Sequence, residues 1–128
     1  MESSVLIIDD HRVFRDYLKA VFDDEGGFIV ETAGSAIEGL DMAVILKPDF
    51  VLADISLHDL PGVKLTRKIK AARPFTHVVI LGMSIGDVYR TEAFRAGAIG
   101  YFLKDNDLDG LIQGIKAIRR GGWFLGRG

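Results

Sequence analysis

Val5-Leu6-Ile7-Ile8 is followed at once by Asp9-Asp10, so a short apolar run ends in two carboxylates. Consecutive apolar residues rich in β-branching predict a strand that is buried on both faces. Similar runs recur along the chain as Phe28-Ile29-Val30, Phe50-Val51-Leu52-Ala53, Val78-Val79-Ile80-Leu81 and Tyr101-Phe102-Leu103. The sequence therefore predicts five short, buried strands.

Stretches with the spacing of amphipathic helices follow each predicted strand. The first stretch carries apolar side chains at Val13, Phe14, Tyr17, Leu18, Val21 and Phe22. The second stretch is marked by apolar side chains at Ile37, Leu40 and Val44. It is expected to begin at a cap at or near Ser35 and to end before Pro48. The remaining three helices are predicted around 65–72, 87–96 and 108–118.

Strict alternation of strands and helices predicts a parallel sheet with helices on both faces and right-handed crossovers. The predicted fold class is α/β: a doubly wound, flavodoxin-like (βα)5 sheet with the strand order 2-1-3-4-5. The chain length suits one domain, which we assign to residues 1–121. Residues 122–128 are expected either to begin a linker or to form a tail packed on the last helix.

Composition argues against several classes of function. The chain has no cysteine, which excludes a disulfide framework and a thiolate metal site. Its net charge of −2 argues against nucleic-acid binding by this domain. The apolar runs are far shorter than the ~20 residues of a membrane helix, and no basic signal-peptide stretch precedes the first strand. We therefore expect a cytoplasmic domain without membrane contact.

Charged residues follow the first, third and fifth predicted strands. They are Asp9 and Asp10, Asp54, and Lys104. In a doubly wound sheet, ligands bind beyond the carboxyl ends of the strands, where the strand order reverses. A single Asp after a strand is most often a helix or turn cap. The doublet together with two further charges at the same edge favours a common site instead.

Three carboxylates that lie this close raise one another's pKa unless a cation compensates them. Oxygen ligands with water suit Mg²⁺, which often shares its coordination shell with phosphate. A carboxylate beside such an ion can act as a nucleophile toward a phosphoryl group, and Lys104 can offset the remaining charge. The predicted chemistry is phosphoryl transfer to a carboxylate.

Three segments together resemble the response-regulator receiver domain of two-component signalling. They are Val5 to His11, Val51 to Asp54 and Ala96 to Lys104, and the spacings between them agree with that family without gaps. The Asp-Asp-His triplet, Lys104-Asp105 and the ending Arg119-Arg120-Gly121-Gly122 are similar to the NarL/LuxR-type subfamily.

The resemblance implies that Asp54 is the phosphoacceptor. It implies a Mg²⁺ site formed by Asp9, Asp10, Asp54 and the backbone carbonyl of Ser56, with Asp10 as a direct ligand. It also implies that Lys104 contacts the phosphoryl group.

In the same way, Tyr101 corresponds to an aromatic switch residue whose ring moves inward on activation. The implied phosphoryl donor is a phosphohistidine on a sensor histidine kinase or a phosphotransfer protein. Members of this type usually control a helix-turn-helix DNA-binding domain, which this chain lacks, and they can dimerise through the face of the last strands and helices.

The sequence departs from the family pattern at two positions. Gly82 stands where receivers carry Ser or Thr after the fourth strand, and Ser84 is the nearby hydroxyl that could replace it. A hydrogen bond to a charged group contributes about 1.5–3 kcal/mol. Loss of this hydroxyl is therefore expected to weaken both the stability of the phosphorylated state and its coupling to the aromatic switch. His58 replaces a usual Pro and is expected to be exposed, while His11 is expected at the rim of the site.

Three alternatives remain beside the phosphorylated receiver. A pseudo-receiver that binds partners without a phosphate switch is suggested by Gly82. A phosphatase of the haloacid dehalogenase type would need a second acid two residues after its nucleophile, where this chain has Ser56. A flavin-binding flavodoxin is disfavoured because Asp9-Asp10 would repel the flavin phosphate.

Overall fold

The computed structural model describes residues 2–83, 87–105 and 108–121, and residue 87 by its backbone alone. Within these ranges, five strands alternate with five helices along the chain. The strands are β1 (Ser3–Ile8), β2 (Phe28–Ala33), β3 (Phe50–Asp54), β4 (His77–Gly82) and β5 (Gly100–Leu103). The helices are α1 (Arg12–Glu25), α2 (Ala36–Leu46), α3 (Gly62–Ala72), α4 (Asp87–Arg95) and α5 (Leu108–Arg119).

The strands form one parallel sheet in the order β2-β1-β3-β4-β5, which confirms the predicted topology. Ile8 at the end of β1 pairs with Ala53 of β3, so the two strands finish at the same edge of the sheet. The strand order reverses between β1 and β3. The residues that follow β1 and end β3 are therefore neighbours in space.

Two apolar layers enclose the sheet, because alternate residues of each strand face opposite sides. Val5 and Ile7 of β1 face the layer that holds α1 and α5, whereas Leu6 and Ile8 face the layer that holds α2 and α3. All four side chains are almost completely buried. This burial on both faces explains why β1 is a continuous apolar run.

The apolar spacing predicted both helices and the buried residues of α1, although it also included two exposed positions of α1, but it did not predict the buried face of α2. Val13 and Tyr17 of α1 are 84% and 58% exposed, and Leu18 and Phe22 are the residues that this helix buries. In α2, Ile37 is exposed and the helix packs through Ala36, Gly39 and Ala43. Small residues are needed there because α2 lies close to the sheet, so side-chain size, rather than hydrophobicity, marks the contact.

Helix ends follow the sequence predictions where the structure describes them. The hydroxyl of Ser35 accepts a hydrogen bond from the backbone N–H of Glu38, which confirms the predicted cap of α2. Gly121, after α5, has a φ of +84°. The predicted linker or tail over residues 122–128 lies outside the described residues and stays a prediction. None of the described helices is both long and apolar enough to cross a bilayer.

Gly39 offers a direct test of the close contact between α2 and β1. A Cβ at this position would come within 2.7 Å of Cγ1 and 2.8 Å of Cγ2 of Ile8. Alanine gains about 1 kcal/mol over glycine in a helix, but overpacking a core costs about 1–3 kcal/mol. Since Ile8 is fully buried, we expect the overpacking to outweigh the helix gain, so that Gly39→Ala lowers the free energy of unfolding by up to about 2 kcal/mol in urea denaturation.

Gly110 is the matched control for this test. It lies on an exposed position of α5, where a Cβ would be 3.7 Å from its nearest neighbour, Cε2 of Phe102. Gly110→Ala should raise stability by up to about 1 kcal/mol. A stabilising effect of Gly39→Ala equal to that of Gly110→Ala would contradict a close contact between α2 and Ile8.

Candidate functional site

Four charged side chains meet at the carboxyl edge of the sheet. Asp9 and Asp10 follow β1, Asp54 ends β3 and Lys104 follows β5. The side chains of Asp9 and Asp54 have no exposed surface, and that of Lys104 is 7% exposed. The predicted convergence of these four residues is therefore confirmed, whereas their chemical roles remain a prediction.

Lys104 joins the cluster through two carboxylates. Its Nζ atom lies 2.7 Å from Oδ2 of Asp9 and 3.5 Å from Oδ1 of Asp54. The ammonium also lies 4.6 Å from the centroid of the Phe14 ring, within range of a cation–π contact. Its backbone N–H donates to the carbonyl of Gly82, which fixes the end of β5 against β4. The lysine is thus held in place at both its backbone and its ammonium.

The two acids after β1 have different partners. Asp9 accepts a hydrogen bond from the backbone N–H of His11 at its Oδ1 and contacts Lys104 at its Oδ2. Asp10 accepts a hydrogen bond from the backbone N–H of His58 at its Oδ2. Its Oδ1 has no hydrogen-bond partner among the described residues. Asp9 therefore has both oxygens in contact with protein groups, and Asp10 has one oxygen available.

Asp54 is a buried carboxylate with little compensation. Burial raises the pKa of its carboxyl group; the Lys104 ammonium opposes this effect and the Asp9 carboxylate adds to it. The backbone N–H of Ser56 and the ammonium of Lys104 also favour the charged form and lower this pKa, although neither contact with an Asp54 oxygen has good hydrogen-bond geometry. Three carboxylates facing one ammonium leave two formal negative charges unbalanced. Such a site attracts a cation.

The donor set fits a divalent metal ion. Single ligand atoms of Asp9, Asp10, His11 and Asp54 all lie within 4.8 Å of one another. Oxygens without a hydrogen-bond partner belong to Asp9, Asp10 and Asp54, and that of Asp9 is in contact with the Lys104 ammonium. Carboxylate oxygens are hard ligands of the kind that Mg²⁺ and Ca²⁺ prefer. The buried, unpartnered oxygens of Asp54 are a second observation that favours an ion, because they are costly to leave unsatisfied.

His11 contributes more than its predicted place at the rim. Its side chain is 60% exposed, as the prediction requires. Its Nδ1 atom nevertheless lies 3.1 Å from Oδ1 of Asp9 and 3.6 Å from both Oδ1 of Asp10 and Oδ2 of Asp54. The position of His11 directly after the two acids indicated that it lies near the site. The direction of its ring could not be predicted, because it depends on the backbone conformation of the loop.

The loop after β3 is held by contacts that the sequence did not reveal. Asp59 accepts hydrogen bonds from the backbone N–H groups of Ala36 and Ile37, and so caps α2 from another part of the chain. These hydrogen bonds lower the pKa of the Asp59 carboxyl group. Gly62 donates its N–H to the carbonyl of Ile55, and a Cβ there would come within 2.8 Å of the Ile55 Cα atom.

Ser56 lies on the exposed turn that follows β3. With Met83, Tyr89 and Tyr101 it lines a recess of about 170 Å³. Its predicted part as a carbonyl ligand remains a prediction. His58 is exposed, as expected, and its ring Nδ1 lies 3.7 Å from Oδ2 of Asp10.

Gly82 and Tyr101 share one volume of space. Tyr101 is 1% exposed, and its burial raises the pKa of its phenol. A Cβ at Gly82 would overlap the Tyr101 hydroxyl and would lie 2.5 Å from its Cζ atom. In the position that the Tyr101 ring occupies here, there is no room for a Cβ at position 82. Ser84, the predicted replacement hydroxyl, lies outside the described residues.

Comparisons with known proteins agree on one family. The family model described as the response regulator receiver domain matches residues 5–116. The transcriptional regulatory protein DegU of Brevibacillus brevis is 33% identical over 122 residues, which cover 94% of this chain and 52% of DegU. The response regulator GacA of Pseudomonas aeruginosa is 33% identical, with 94% of this chain and 57% of GacA covered. The chain thus spans little more than half the length of these relatives.

Solved structures support the same assignment. A LuxR-family two-component response regulator from Aurantimonas sp. SI85-9A1 superposes with a TM-score of 0.91 and 28% identity, covering 98% of this chain and 90% of that one. A CheY-like receiver domain protein from Methanospirillum hungatei JF-1 gives a TM-score of 0.89 and 27% identity, covering 94% and 96% of the two chains. The relatives and the first structure agree with the NarL/LuxR-type resemblance.

The raised pKa of Asp54 predicts how stability depends on pH. The folded state holds the Asp54 proton more tightly than the unfolded state does. Ionisation of Asp54 therefore lowers the free energy of unfolding as pH rises from the unfolded-state pKa of about 3.9 through the higher folded-state pKa. With a chelator present, we expect Asp54→Asn to raise the free energy of unfolding at neutral pH, because asparagine removes the buried charge that burial and Asp9 disfavour. This gain should shrink as pH falls through the folded-state pKa of Asp54 and should be absent below about pH 3.9, where the carboxyl group is neutral in both the folded and the unfolded state.

Asp41→Asn is the control, because Asp41 is exposed on α2 and its replacement should change stability by less than about 0.5 kcal/mol. Both variants are measured by urea denaturation across the pH range. A loss of stability in Asp54→Asn at neutral pH would contradict the prediction, because it would show that the ionised carboxylate is well compensated.

Proposed function

The chain belongs to the response regulator receiver domain family of two-component systems, and from that membership we propose that it accepts a phosphoryl group on Asp54. The observation that carries the proposal is the buried carboxylate of Asp54, which lies beside an ammonium and two further acids and has no hydrogen bond of good geometry among the described residues. The proposed donor is a phosphohistidine on a sensor histidine kinase or a phosphotransfer protein.

Mg²⁺ is the proposed cofactor, with Asp10, Asp54 and the carbonyl of Ser56 as ligands. The available oxygens of Asp10 and Asp54 support direct contact. Asp9 would act mainly through its hydrogen bond with the His11 N–H and its contact with Lys104, since both of its oxygens are engaged. When bound, the ion supplies positive charge opposite the transferring phosphoryl oxygens.

Phosphoryl transfer would proceed by attack of an Asp54 oxygen on phosphorus, with cleavage of the phosphorus–nitrogen bond to the donor imidazole. The attacking oxygen must be ionised, although burial disfavours that form. Lys104 opposes the cost of ionisation and, at 3.5 Å from Asp54, can neutralise charge on the phosphoryl group. Exclusion of water from the buried site strengthens both interactions.

The proposed switch is the Tyr101 ring. In this structure the ring is already inward, in the space that the absent side chain of residue 82 leaves open. We infer that Gly82 allows the Tyr101 ring to lie inward before phosphorylation. Phosphorylation would then stabilise an inward ring position that the unphosphorylated protein already adopts.

The receiver is a signalling domain rather than an enzyme that turns over a separate substrate. The proposed output is a transcriptional domain outside this chain, in line with relatives named as transcriptional regulators and about twice as long. That domain, rather than this one, would bind DNA, because a net charge of −2 does not favour contact with the phosphate backbone. A cytoplasmic location and formation of a homodimer are part of the same proposal.

A pseudo-receiver without a phosphate switch is the second candidate, because Gly82 removes the usual hydroxyl. It is not favoured, since the acids and the lysine required for phosphorylation are present and converge.

Acetyl phosphate with Mg²⁺ tests the proposed phosphoacceptor. We expect the 128-residue chain to gain the mass of one phosphoryl group, because the small donor needs no partner protein. Asp54→Asn should show no gain and Asp41→Asn should behave like the wild type. Phosphorylation of Asp54→Asn to the wild-type extent, in intact-mass spectrometry, would place the acceptor elsewhere.

Gly82→Thr tests the arrangement of the switch. The new Cβ would overlap the Tyr101 ring, so we expect the ring to move outward and become open to nitration by tetranitromethane. In the wild type, Tyr101 should be protected, whereas Tyr17 and Tyr89, which are 58% and 53% exposed, should react and serve as internal controls. Peptide mapping that finds Tyr101 equally protected in both proteins would contradict the shared volume.

A further inference from the structure

The imidazole of His11 lies where a ligand of the metal ion would lie, and the proposed phosphoryl transfer does not use it. Adjacent ligands of an octahedral ion with bonds of about 2.1 Å are roughly 3 Å apart. The Nδ1 atom of His11 lies 3.6 Å from one oxygen of each of the proposed ligands Asp10 and Asp54, and 3.1 Å from Oδ1 of Asp9. The two separations of 3.6 Å fall between those of adjacent and opposite ligands, roughly 3 and 4.2 Å, so one ion can contact the ring nitrogen and both carboxylates after a small adjustment of their positions.

We propose that Nδ1 of His11 binds the divalent ion directly, so that this receiver has a mixed nitrogen and oxygen site. Mg²⁺ prefers oxygen ligands and water. Imidazole is a good ligand for Co²⁺, Ni²⁺ and Zn²⁺ and a weaker one for Mn²⁺. A site that includes His11 would therefore prefer Co²⁺, Ni²⁺ and Zn²⁺ over Mg²⁺ more strongly than a site built from oxygen ligands alone. This inference rests on the metal site of the proposed function and adds a ligand to it.

Backbone hydrogen bonds hold the main chain of His11, from which the imidazole extends, in a defined conformation. Its N–H donates to Oδ1 of Asp9, and its carbonyl accepts from the N–H of Arg15 in the first turn of α1. The residue has an extended conformation, with φ −89° and ψ 96°, as the N-cap of α1. The imidazole therefore projects from an anchored position, and its side chain is 60% exposed.

The surroundings of Nδ1 give it no settled hydrogen-bond role. The Lys104 ammonium lies 3.4 Å away and can only donate, while the Asp9 carboxylate at 3.1 Å can only accept. A neutral ring nitrogen satisfies one of these neighbours at a time. A cation bound by the unpartnered oxygens of Asp54 would use the lone pair of Nδ1 directly. The simpler role, in which Nδ1 of His11 only donates to Asp9, predicts that this nitrogen stays protonated and makes no bond to the ion.

Pulsed electron paramagnetic resonance of Mn²⁺ bound to the whole chain separates these two roles. Mn²⁺ is the probe, and a directly bonded imidazole nitrogen modulates its spin echo. We expect this nitrogen modulation in the wild type, its loss in His11→Gln, and its retention in His58→Gln and His77→Gln. His77 is a remote control, because it lies at the start of β4, at the other end of the strand from Gly82.

Calorimetric titration provides the second measurement. His11→Gln should weaken Ni²⁺ binding by about tenfold or more, the size of effect expected when a metal-site partner is lost. Mg²⁺ binding should change by no more than about twofold, because Mg²⁺ gains little from imidazole. Equal weakening for both ions would overturn the selectivity.

The outcomes distinguish this inference from the proposed function. Mn²⁺ that binds to the wild type and is lost in Asp54→Asn, but shows no nitrogen modulation, would overturn the role of His11 and leave the phosphoacceptor site intact. Modulation that is lost in His58→Gln instead of His11→Gln would also overturn it. Mn²⁺ binding unaffected by Asp54→Asn would overturn both the ligand and the site on which it rests.

Discussion

Burial of the Asp54 carboxylate beside that of Asp9, with the Lys104 ammonium as their shared counter-charge, is the constraint on which the rest of the site depends. Like charges in a poorly solvated space are costly, and one ammonium offsets only part of that cost. A divalent cation would offset the remaining negative charge, and the proposed phosphorylation of Asp54 would change that charge again. The imbalance is therefore what makes both proposed events plausible chemistry for this site.

The parallel sheet is what makes this crowding possible. Strands β1, β3 and β5 end at one edge and are buried on both faces, so the acids and the lysine are placed by the most rigid part of the molecule. The loops around them are tied by specific contacts, such as Asp59 to the start of α2 and Asp10 to the backbone of His58. The cluster is therefore held together by backbone geometry against its own repulsion.

The sheet topology and the meeting of the charged residues at one sheet edge could be predicted from the sequence, because both depend on the order of strands and helices along the chain. The strand runs, their alternation with helices and the charges after the strands determine which residues meet at the sheet edge. The sequence did not reveal the buried face of α2, because its apolar residues surround the helix and the contact uses Gly39. It also did not reveal the ring direction of His11 or the volume shared by Gly82 and Tyr101, which depend on side-chain packing between elements distant in the chain.

The most direct test is an NMR titration of the Asp54 carboxyl carbon in the chain without divalent cations. We expect an inflection above the ordinary pKa of about 3.9, because burial and Asp9 disfavour the charged form, and a fall in this pKa when Mg²⁺ is added. An inflection at or below the ordinary value in the absence of metal would contradict the central role of this uncompensated carboxylate, since Asp54 would then already be compensated within the protein.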